Sequence, residues 1–359
     1  MAQVSITTHS NKSMNFDSTT PNNSENFRTE LLPGIDSGKI IQKRYQLEGV
    51  IGRGGIGEVY LAMDMKKNSE VAVKICRNAP QKKCCEKRVK RETRELQKIN
   101  HINHVKLKNS GIVDGDPFLV MEYMKGMDLK KYLDIYKILP WESTKLIMIQ
   151  LCDAVQALHE KGIIHQDIKP ENIFISDQGL VKLFDFDVSE FIFLERLWGK
   201  GKFYGTPMYL APETCKEKMP DHRIDIWASG VVMYQMLCGD TPFNANNFYA
   251  LIYRIVMDEP LWPGEVDPKA SIPKEAENIV MHALEKNPDK RFQSMKEMKN
   301  AILQVKVQCQ VQNIEQNKIS FASSVFESIK QKTFEFLDTI SFIPDFVDTA
   351  RQSAGSASF

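Results

Sequence analysis

The residues best equipped for chemistry in this sequence lie in the run "HQDIKPEN", which contains Asp167, Lys169 and Asn172. A carboxylate, an ammonium group and an amide stand there at short, separate intervals. Phosphoryl transfer needs positioning and charge neutralisation more than covalent chemistry, so separated groups of these three kinds suffice for it. The run is therefore compatible with that reaction.

A second motif is formed by Gly52, Gly54 and Gly57 in "IGRGGIGEVY". Alone it is weak evidence, because a Rossmann turn uses the same spacing to open a helix onto a pyrophosphate. Here the text that follows, "EVYLAMD", reads as a strand. A glycine loop between two strands can lay its backbone amides over phosphates, since no Cβ keeps the chain away.

Lys74 in "VAVKIC" lies on the next predicted strand. A single strand lysine is more often a solvated surface charge, so its weight comes from the motifs around it. The runs "HQDIKPEN", "DFD" and "APE" follow it in this order. Together with the glycine motif they resemble the protein kinase superfamily, in particular serine/threonine kinases of the eukaryotic-like (Hanks) type. The resemblance covers about Tyr45 to Leu303.

This resemblance implies an α+β fold with two lobes. The elements read from the sequence agree with it. Short β-type runs from Tyr45 onwards predict a small antiparallel sheet, and the basic segment "KKCCEKRVKRETRELQKI" predicts one main helix. Helical patterns such as "ESTKLIMIQLCDAVQALHEKG" dominate afterwards. We expect a small lobe over residues 45–121, a hinge over 122–126 and a larger, mostly helical lobe over 127–304.

The resemblance also implies an ATP site. The glycine loop would cover the nucleotide, with Val59 above the adenine, and Lys74 would hold the α and β phosphates. The carboxylate partner of Lys74 should lie on the basic helix, where the family register favours Glu92 over Glu95.

The adenine pocket would have Ala72 in its roof, Phe174 in its floor and Met121 guarding its deeper part, although ordinary core packing explains these three residues equally well. Backbone groups of the hinge from Glu122 to Met124 would read the adenine edge. The residues expected to contact ATP are Ile51, Gly52, Gly54, Gly57, Val59, Ala72, Lys74, Met121, Glu122, Met124 and Phe174.

For the catalytic run, the resemblance implies that Asp167 accepts and orients the incoming hydroxyl and that Lys169 neutralises the γ-phosphate. Asn172 and Asp185 would hold Mg²⁺ through oxygen ligands, with Mn²⁺ as an alternative ion. The expected catalytic set is Asp167, Lys169, Lys74 and Glu92.

Two further carboxylates are expected to stabilise the larger lobe. Glu213 of "APE" should pair with Arg291 of "NPDKRF", and Asp225 of "DIWASG" should bind backbone amides around His165. The run "GTPMYLAPE" resembles the substrate-side loop, with Thr206 near the catalytic aspartate. Because that loop shapes a peptide groove, it argues against a small-molecule kinase, and with "DIKPEN" it favours serine and threonine over tyrosine in protein substrates.

The sequence departs from the family pattern at two positions. Where Gln166 stands the family often has arginine, which grips a phosphate on the activation loop, and a neutral amide cannot form that charged bidentate pair. Between Ser189 and Thr206 only Tyr204 can take a phosphate, so we expect activity without loop phosphorylation. Asp187 replaces a glycine, which makes an ATP-binding pseudokinase acting as a scaffold the alternative.

The flanking segments differ in composition from the kinase-like region. Residues 1–44 are rich in Ser, Thr and Asn, so we expect a disordered tail. Residues 305–359 form an extension, in part an amphipathic helix, with Phe321, Val325 and Ile329 at four-residue steps. This extension could contact a membrane surface or dock onto the larger lobe, and the sequence leaves both open.

Charge and cysteine content set the remaining expectations. The 47 Lys and Arg nearly balance the 46 Asp and Glu, so the composition gives no sign of bulk binding to nucleic acid. Seven scattered cysteines without a C-x-x-C pair fit a reducing compartment. Neither a secretory leader nor a bilayer-spanning apolar run is recognisable, and we expect a cytoplasmic protein.

Overall fold

A computed structural model describes residues 36–54, 57–77, 99–184, 207–215, 221–266 and 272–306. The first half of the described chain is an antiparallel sheet of six strands in the order β1-β2-β3-β4-β6-β5. Its strands are β1 (Ile40–Ile41), β2 (Tyr45–Gly54), β3 (Gly57–Asp64), β4 (Ser69–Ile75), β5 (Leu107–Val113) and β6 (Asp116–Glu122). The strands predicted from Tyr45 onwards are confirmed.

Strand β4 shows how the sheet divides its two faces. Val71, Val73 and Ile75 are fully buried, whereas Ala72 and Lys74 lie on the opposite face because successive side chains alternate along a strand. The buried face forms a compact apolar cluster, and the rest of that cluster is Ile41, Tyr45, Leu47, Val50, Tyr60, Ala62, Phe118 and Val120. Lys74 therefore lies on the face opposite this cluster.

The sheet begins earlier than the sequence led us to expect. We predicted a disordered tail up to residue 44, but Ile40 and Ile41 pair with β2, and Ile41 is only 2% exposed. The prediction is wrong for residues 36–44, while residues 1–35 lie outside the described residues. A strand of two residues is too short to show a period-two pattern, which is why the sequence did not reveal it.

The second half of the described chain is mostly helical and contains the larger apolar cluster. This half also contains a three-stranded sheet of β7 (Gly126–Asp128), β8 (Ile173–Ser176) and β9 (Val181–Leu183). Strand β7 comes before the first helix, and β8 and β9 lie between the second and third helices in the chain. The helices are α1 (Leu129–Tyr136), α2 (Trp141–His159), α3 (Pro212–Cys215), α4 (Arg223–Cys238), α5 (Phe248–Met257), α6 (Pro263–Val266), α7 (Lys274–Ala283) and α8 (Met295–Gln304). Helix α4 is buried on nearly every side, as expected for an apolar helix at the centre of a core.

Helix α2 bears out the prediction made from its sequence. It begins at Trp141, directly after a proline, and ends at His159, and the chain then turns through Gly162 at a φ of +71°. A left-handed residue just after a helix suits glycine, which has no Cβ penalty there. The helix packs against α4 and α8, so it holds the centre of the larger half.

The two halves meet along β9. The backbone N–H of Leu183 donates to the carbonyl oxygen of Asn103 at 2.8 Å, and the N–H of Val105 donates back to Leu183 at 3.1 Å. The chain itself crosses between β6 and β7 through residues 123–125. The expected two-lobed α+β fold is thereby confirmed, although the predicted main helix of the small lobe, residues 82–99, lies almost wholly outside the described residues. Across the described ranges, none of the helices combines the length and apolarity needed to cross a bilayer.

Gly126 gives a test of how tightly β7 is fitted to β8. Its φ is +140°, and a Cβ on it would lie 2.2 Å from the carbonyl oxygen of Ile175. We expect Gly126→Ala to lower the free energy of unfolding by about 2 kcal/mol or more, measured by urea denaturation. The matched control is Gly115→Ala, where φ is +85° but no atom lies within 4 Å, so only about 1 kcal/mol of backbone strain is expected. Equal losses in the two variants would contradict the steric argument.

Candidate active site

The glycine motif lies in a hairpin between β2 and β3, as predicted. Gly52 pairs with Val59 and Gly54 with Gly57 across the hairpin, and residues 55–56 at its tip lie outside the described residues. A Cβ on Gly57 would lie 1.9 Å from the carbonyl oxygen of Ile75 on β4. Only glycine therefore lets the chain leave the hairpin this close to the strand that carries Lys74.

The sheet brings several predicted nucleotide contacts onto one face. Val59 is paired with Lys74, and Ala72 is paired with Met121. Directly paired residues of antiparallel strands present their side chains on the same face, and residues two apart on one strand do so as well. Val59, Ala72, Lys74 and Met121 consequently share the face opposite the apolar cluster. Ala72 is 8% exposed and belongs to neither core cluster, which is consistent with a wall of a pocket.

Phe174 lies on β8, in the small sheet of the larger half. It pairs with Asp128 on β7 and with Lys182 on β9, and its ring centroid is 6.4 Å from that of Phe184. Its position on β8 directly follows the catalytic run. The predicted floor residue thus comes from the larger half, whereas the predicted roof residue Ala72 comes from β4 of the smaller half.

The hinge begins at Glu122, which is held on its outer side. Its backbone N–H donates to the carbonyl oxygen of Lys106 at 3.0 Å, and its Oε1 accepts from the N–H of Lys106 at 2.8 Å. The same oxygen accepts from Lys182 Nζ, which also donates to the carbonyl oxygen of His104 at 3.2 Å. Because the Glu122 N–H is already used, the edge-reading groups of the predicted hinge reduce to its carbonyl and to the backbone of Tyr123 and Met124.

Lys182 is a residue that sequence reasoning missed. It is 8% exposed and connects β9 of the larger half to the end of β6. The available signal was its isolation in "GLVKLF", because a lysine between apolar residues of a buried strand is seldom buried without a partner.

The catalytic run brings three of its predicted residues into direct contact. Lys169 Nζ donates to both carboxylate oxygens of Asp167, at 2.8 and 2.7 Å. Asn172 Nδ2 donates to the backbone carbonyl of Asp167 at 2.7 Å and to its Oδ2 at 2.8 Å. A short 3-10 helix, Pro170–Asn172, creates this arrangement by folding the chain back on itself. Asp167 keeps 32% of its side chain exposed, so its carboxylate can still meet a substrate.

Asp225 on α4 holds the backbone of this run in place. Its Oδ2 accepts from the backbone N–H of His165 at 2.8 Å, and its Oδ1 accepts from the N–H of Gln166 at 2.9 Å. The Nε2 of His159 lies 2.8 Å from Oδ2. Gln166 has a φ of +67°, a strained value that the two backbone bonds help to maintain. The prediction that Asp225 binds amides around His165 is confirmed.

Asn172 is suited to hold a hard cation. Its Nδ2 is committed to Asp167, which orients the amide and leaves Oδ1 as an oxygen of the kind that Mg²⁺ prefers. The N–H of Phe184 donates to the carbonyl oxygen of Asn172 at 3.0 Å, so the residue just before Asp185 is tied to this turn. Asp185 itself, together with Glu92, Asp187 and Thr206, lies outside the described residues.

His104 fastens the segment after residue 98 to the larger half. Its Nε2 lies 2.7 Å from the carbonyl oxygen of Ala154 on α2. Burial lowers the pKa of His104 to about 4, so the ring is neutral near pH 7 and donates through Nε2–H. This bond and the β9 contacts fix the chain that leads from the predicted Glu92 helix into β5.

A buried ion pair joins helix α3 to the segment before α8 in the larger half. Arg291 donates from Nη1 and Nη2 to the two carboxylate oxygens of Glu213, at 2.6 and 2.7 Å. Arg291 is 2% exposed, and its Nε donates to the carbonyl oxygen of Glu285 at 2.7 Å. The predicted pairing of Glu213 with Arg291 is confirmed.

Comparison with known proteins agrees with this geometry. The model of the protein kinase domain matches residues 45–303, and the chain belongs to the protein kinase family. The "Probable serine/threonine-protein kinase PknB" of Corynebacterium glutamicum is 33% identical over 270 residues, which are 72% of this chain and 42% of that protein. The "Serine/threonine-protein kinase PrkC" of Bacillus subtilis is 32% identical over 262 residues, 73% of this chain and 40% of that protein.

Among solved structures, Rad53 1-466 in complex with AMP-PNP superimposes with a TM-score of 0.61 at 27% identity, covering 73% of this chain and 65% of that one. The chain spans less than half the length of the two bacterial relatives, at 42% and 40%. The fold and the family are therefore shared, while the longer relatives contain further sequence.

The buried Glu213–Arg291 pair predicts a large effect on stability. Arg291→Ala would leave the Glu213 carboxylate buried without its cation, and we expect a loss of about 3 kcal/mol or more in the free energy of unfolding. Arg254→Ala is the control, because that guanidinium is 54% exposed and its removal should change stability little. Thermal unfolding of both variants measures the difference, and an unchanged melting temperature for Arg291→Ala would refute it.

Proposed function

We propose that this chain is a serine/threonine protein kinase that transfers the γ-phosphoryl group of Mg-ATP to hydroxyl groups of proteins. The observation that carries the proposal is the contact of the Asp167 carboxylate with both Lys169 and Asn172. The names of the bacterial relatives, all serine/threonine-protein kinases, support the same activity. Nothing in the comparisons favours the alternative of a pseudokinase scaffold.

The chemistry follows from the positions of the three residues. The acceptor oxygen forms a bond to the γ-phosphorus while the bond to the β,γ-bridging oxygen breaks and ADP leaves. The hydroxyl proton passes to the carboxylate of Asp167, which also orients the oxygen for attack. The ammonium of Lys169 contacts that carboxylate, and its role in this proposal is to neutralise charge that develops on the γ-phosphate in the transition state.

The metal ligands in this proposal are Asn172 and Asp185, while Lys74 holds the α and β phosphates and Glu92 pairs with Lys74. A Mg²⁺ or Mn²⁺ ion held by Asn172 and Asp185 would neutralise charge on phosphate oxygens. Asn172 contributes a fixed amide, because two hydrogen bonds to Asp167 prevent it from turning. The proposed metal ligand Asn172 and the proposed proton acceptor Asp167 therefore belong to the same short turn.

Two observations support the binding of ATP. The face that carries Val59, Ala72, Lys74 and Met121 lies opposite the apolar core, and we assign Phe174 of the larger half to the floor of the same site. The structural relative Rad53 was solved with AMP-PNP, an ATP analogue, which favours ATP as the ligand of the same fold here. Protein substrates are favoured by the run "GTPMYLAPE", of which residues 207–213 are described and buried or half-buried.

We also propose a cytoplasmic location without a nucleic-acid partner. The seven cysteines are scattered along the chain without a C-x-x-C pair, which suits a reducing compartment. The near-zero net charge of +1 gives no electrostatic basis for bulk binding to nucleic acid. Contact of the extension after residue 304 with a membrane surface, or with the larger lobe, stays a prediction, since residues 307–359 lie outside the described residues.

Asp167→Asn tests the assignment of the proton acceptor. The amide cannot take the hydroxyl proton, so we expect the transfer rate to a general protein substrate to fall about 100-fold or more. Binding of Mg-ATP should persist, because Asp167 faces the acceptor and not the adenine. Phosphate transfer from labelled ATP measures the rate, and calorimetry measures the binding.

Asp177→Asn is the matched control, since it makes the same change at an exposed position on the following turn and should keep full activity. A wild-type protein that binds ATP but transfers no phosphate would favour the scaffold alternative. An Asp167→Asn variant with undiminished transfer would remove Asp167 from its proposed role.

Gln166 generates a separate proposal about regulation. A glutamine cannot form the charged pair with a loop phosphate that arginine forms, and its backbone is instead fixed by Asp225. The chain between Ser189 and Thr206 has Tyr204 as its one hydroxyl residue. We therefore propose that the site is ordered without phosphate on this loop.

The test compares activity before and after treatment with a phosphatase, with heat-inactivated phosphatase as the control. We expect the same transfer rate in all three samples, and Tyr204→Phe should keep that rate as well. A loss of activity that follows removal of phosphate, or that appears in Tyr204→Phe, would contradict the proposal.

A further inference from the structure

Residues 36–41, which we call the edge segment, add a feature that lies before the region matched by the family. The family model begins at residue 45. The edge segment nevertheless continues the sheet, because the N–H of Gly38 donates to the carbonyl of Leu47 at 2.7 Å and the N–H of Leu47 donates to the carbonyl of Lys39 at 2.9 Å. Ile41 is 2% exposed in the apolar core. The edge segment is thus built into the small lobe beside the strand that leads to the glycine motif.

Asp36 at the start of the edge segment is linked to β4. It is 9% exposed, and its carboxylate accepts from the guanidinium of Arg77. Its backbone N–H also approaches the hydroxyl oxygen of Tyr60 on β3, at 3.4 Å. Arg77 lies just beyond β4, after Cys76, and three residues after Lys74 in the chain. A buried carboxylate with a cationic partner is a strong local restraint on both chains.

The same cluster reaches the glycine motif through Glu58, the residue after Gly57. The Tyr60 hydroxyl donates to Glu58 Oε2 at 2.5 Å, and Arg77 Nε lies 3.9 Å from that oxygen. Burial, together with the hydrogen bond to Glu58, raises the pKa of Tyr60, which keeps the hydroxyl protonated as a donor. The cluster therefore ties the exit of the glycine hairpin to the end of the strand that carries Lys74.

We propose that Asp36 is a positioning residue for nucleotide binding, acting through Arg77 and Glu58 to hold the glycine hairpin over β4. The inference rests on the proposed function, since it assigns the edge segment a role at the ATP site. Asp36 touches neither the nucleotide face nor the catalytic run. Its effect is to restrain the hairpin before ATP arrives, so that less ordering is required on binding.

The competing carboxylates around Arg77 explain why Asp36 matters. Asp116 Oδ2 lies 3.7 Å from Arg77 Nη1, and Glu58 lies on another side of the guanidinium. With Asp36 present, the guanidinium is held between the edge segment and β3. When that carboxylate is lost, Arg77 can turn towards Asp116, and the restraint on Glu58 weakens.

Asp36→Asn is the principal test, read as the Kd for Mg-ATP by calorimetry and as KM and kcat for phosphate transfer. We expect Kd and KM for ATP to rise several-fold, up to about tenfold, with kcat unchanged. Asp36→Glu keeps the charge and should restore most of the affinity. Tyr60→Phe removes the hydroxyl that joins Asp36 to Glu58, and we expect it to weaken ATP binding in the same direction.

Asp134→Asn is the matched control, because Asp134 is paired with Lys130 on the exposed side of α1, with 57% of its side chain exposed. It should leave Kd, KM and kcat at their wild-type values. Melting temperatures of all variants are measured alongside, and a comparable loss of kcat and affinity in Asp36→Asn would overturn the positioning role. The inference would also fall if Asp36→Asn bound ATP as tightly as a wild type that binds it well. A wild type that binds no ATP would overturn the proposed function first, and the inference with it.

Discussion

The hydrogen bonds of the Asp225 carboxylate position the backbone of the catalytic run, and the other contacts of that run depend on them. Asp225 is 1% exposed on a helix that is itself buried almost all round, and it accepts from the backbone of both His165 and Gln166. A carboxylate in such a position is stable only when its oxygens are satisfied, and the catalytic run supplies the donors. The dependence is mutual: the run gains its shape from the helix, and the helix can contain an acid because the run lies against it.

Contacts between residues close in the chain connect this carboxylate to the rest of the site. The 3-10 turn after Lys169 sets the contacts of Asp167 with Lys169 and Asn172, and β8 continues directly from it. Strand β9 then contacts the other lobe, because the backbone of Leu183 is hydrogen-bonded to Asn103 and Val105. The small lobe contributes a sheet whose one face is sealed by its own apolar cluster, so the opposite face is available for a ligand. Two separate apolar cores are thus joined by the backbone hydrogen bonds of β9.

How much of this the sequence revealed depended on the distance along the chain. Asp167, Lys169 and Asn172 lie within one turn, so a contiguous motif was enough to place them, and the pairing of Glu213 with Arg291 followed from the family resemblance. The contacts of Lys182 with Glu122 and of Asp36 with Arg77 join residues far apart, and no local pattern encodes them. The edge segment was mistaken for part of a tail because two paired residues leave no periodicity. Glu92 and Asp185 rest on motif position alone.

The buried imidazole of His104 has a consequence for the stability of the folded chain at low pH. The ring holds its proton far less readily in the folded chain, with a pKa of about 4, than in an unfolded one, where an ordinary histidine titrates near 6.5. As the pH falls through about 6.5, the unfolded chain gains protons that the folded chain does not, and the balance shifts against the folded form. Mild acidification therefore weakens the folded form at the place where His104 contacts helix α2.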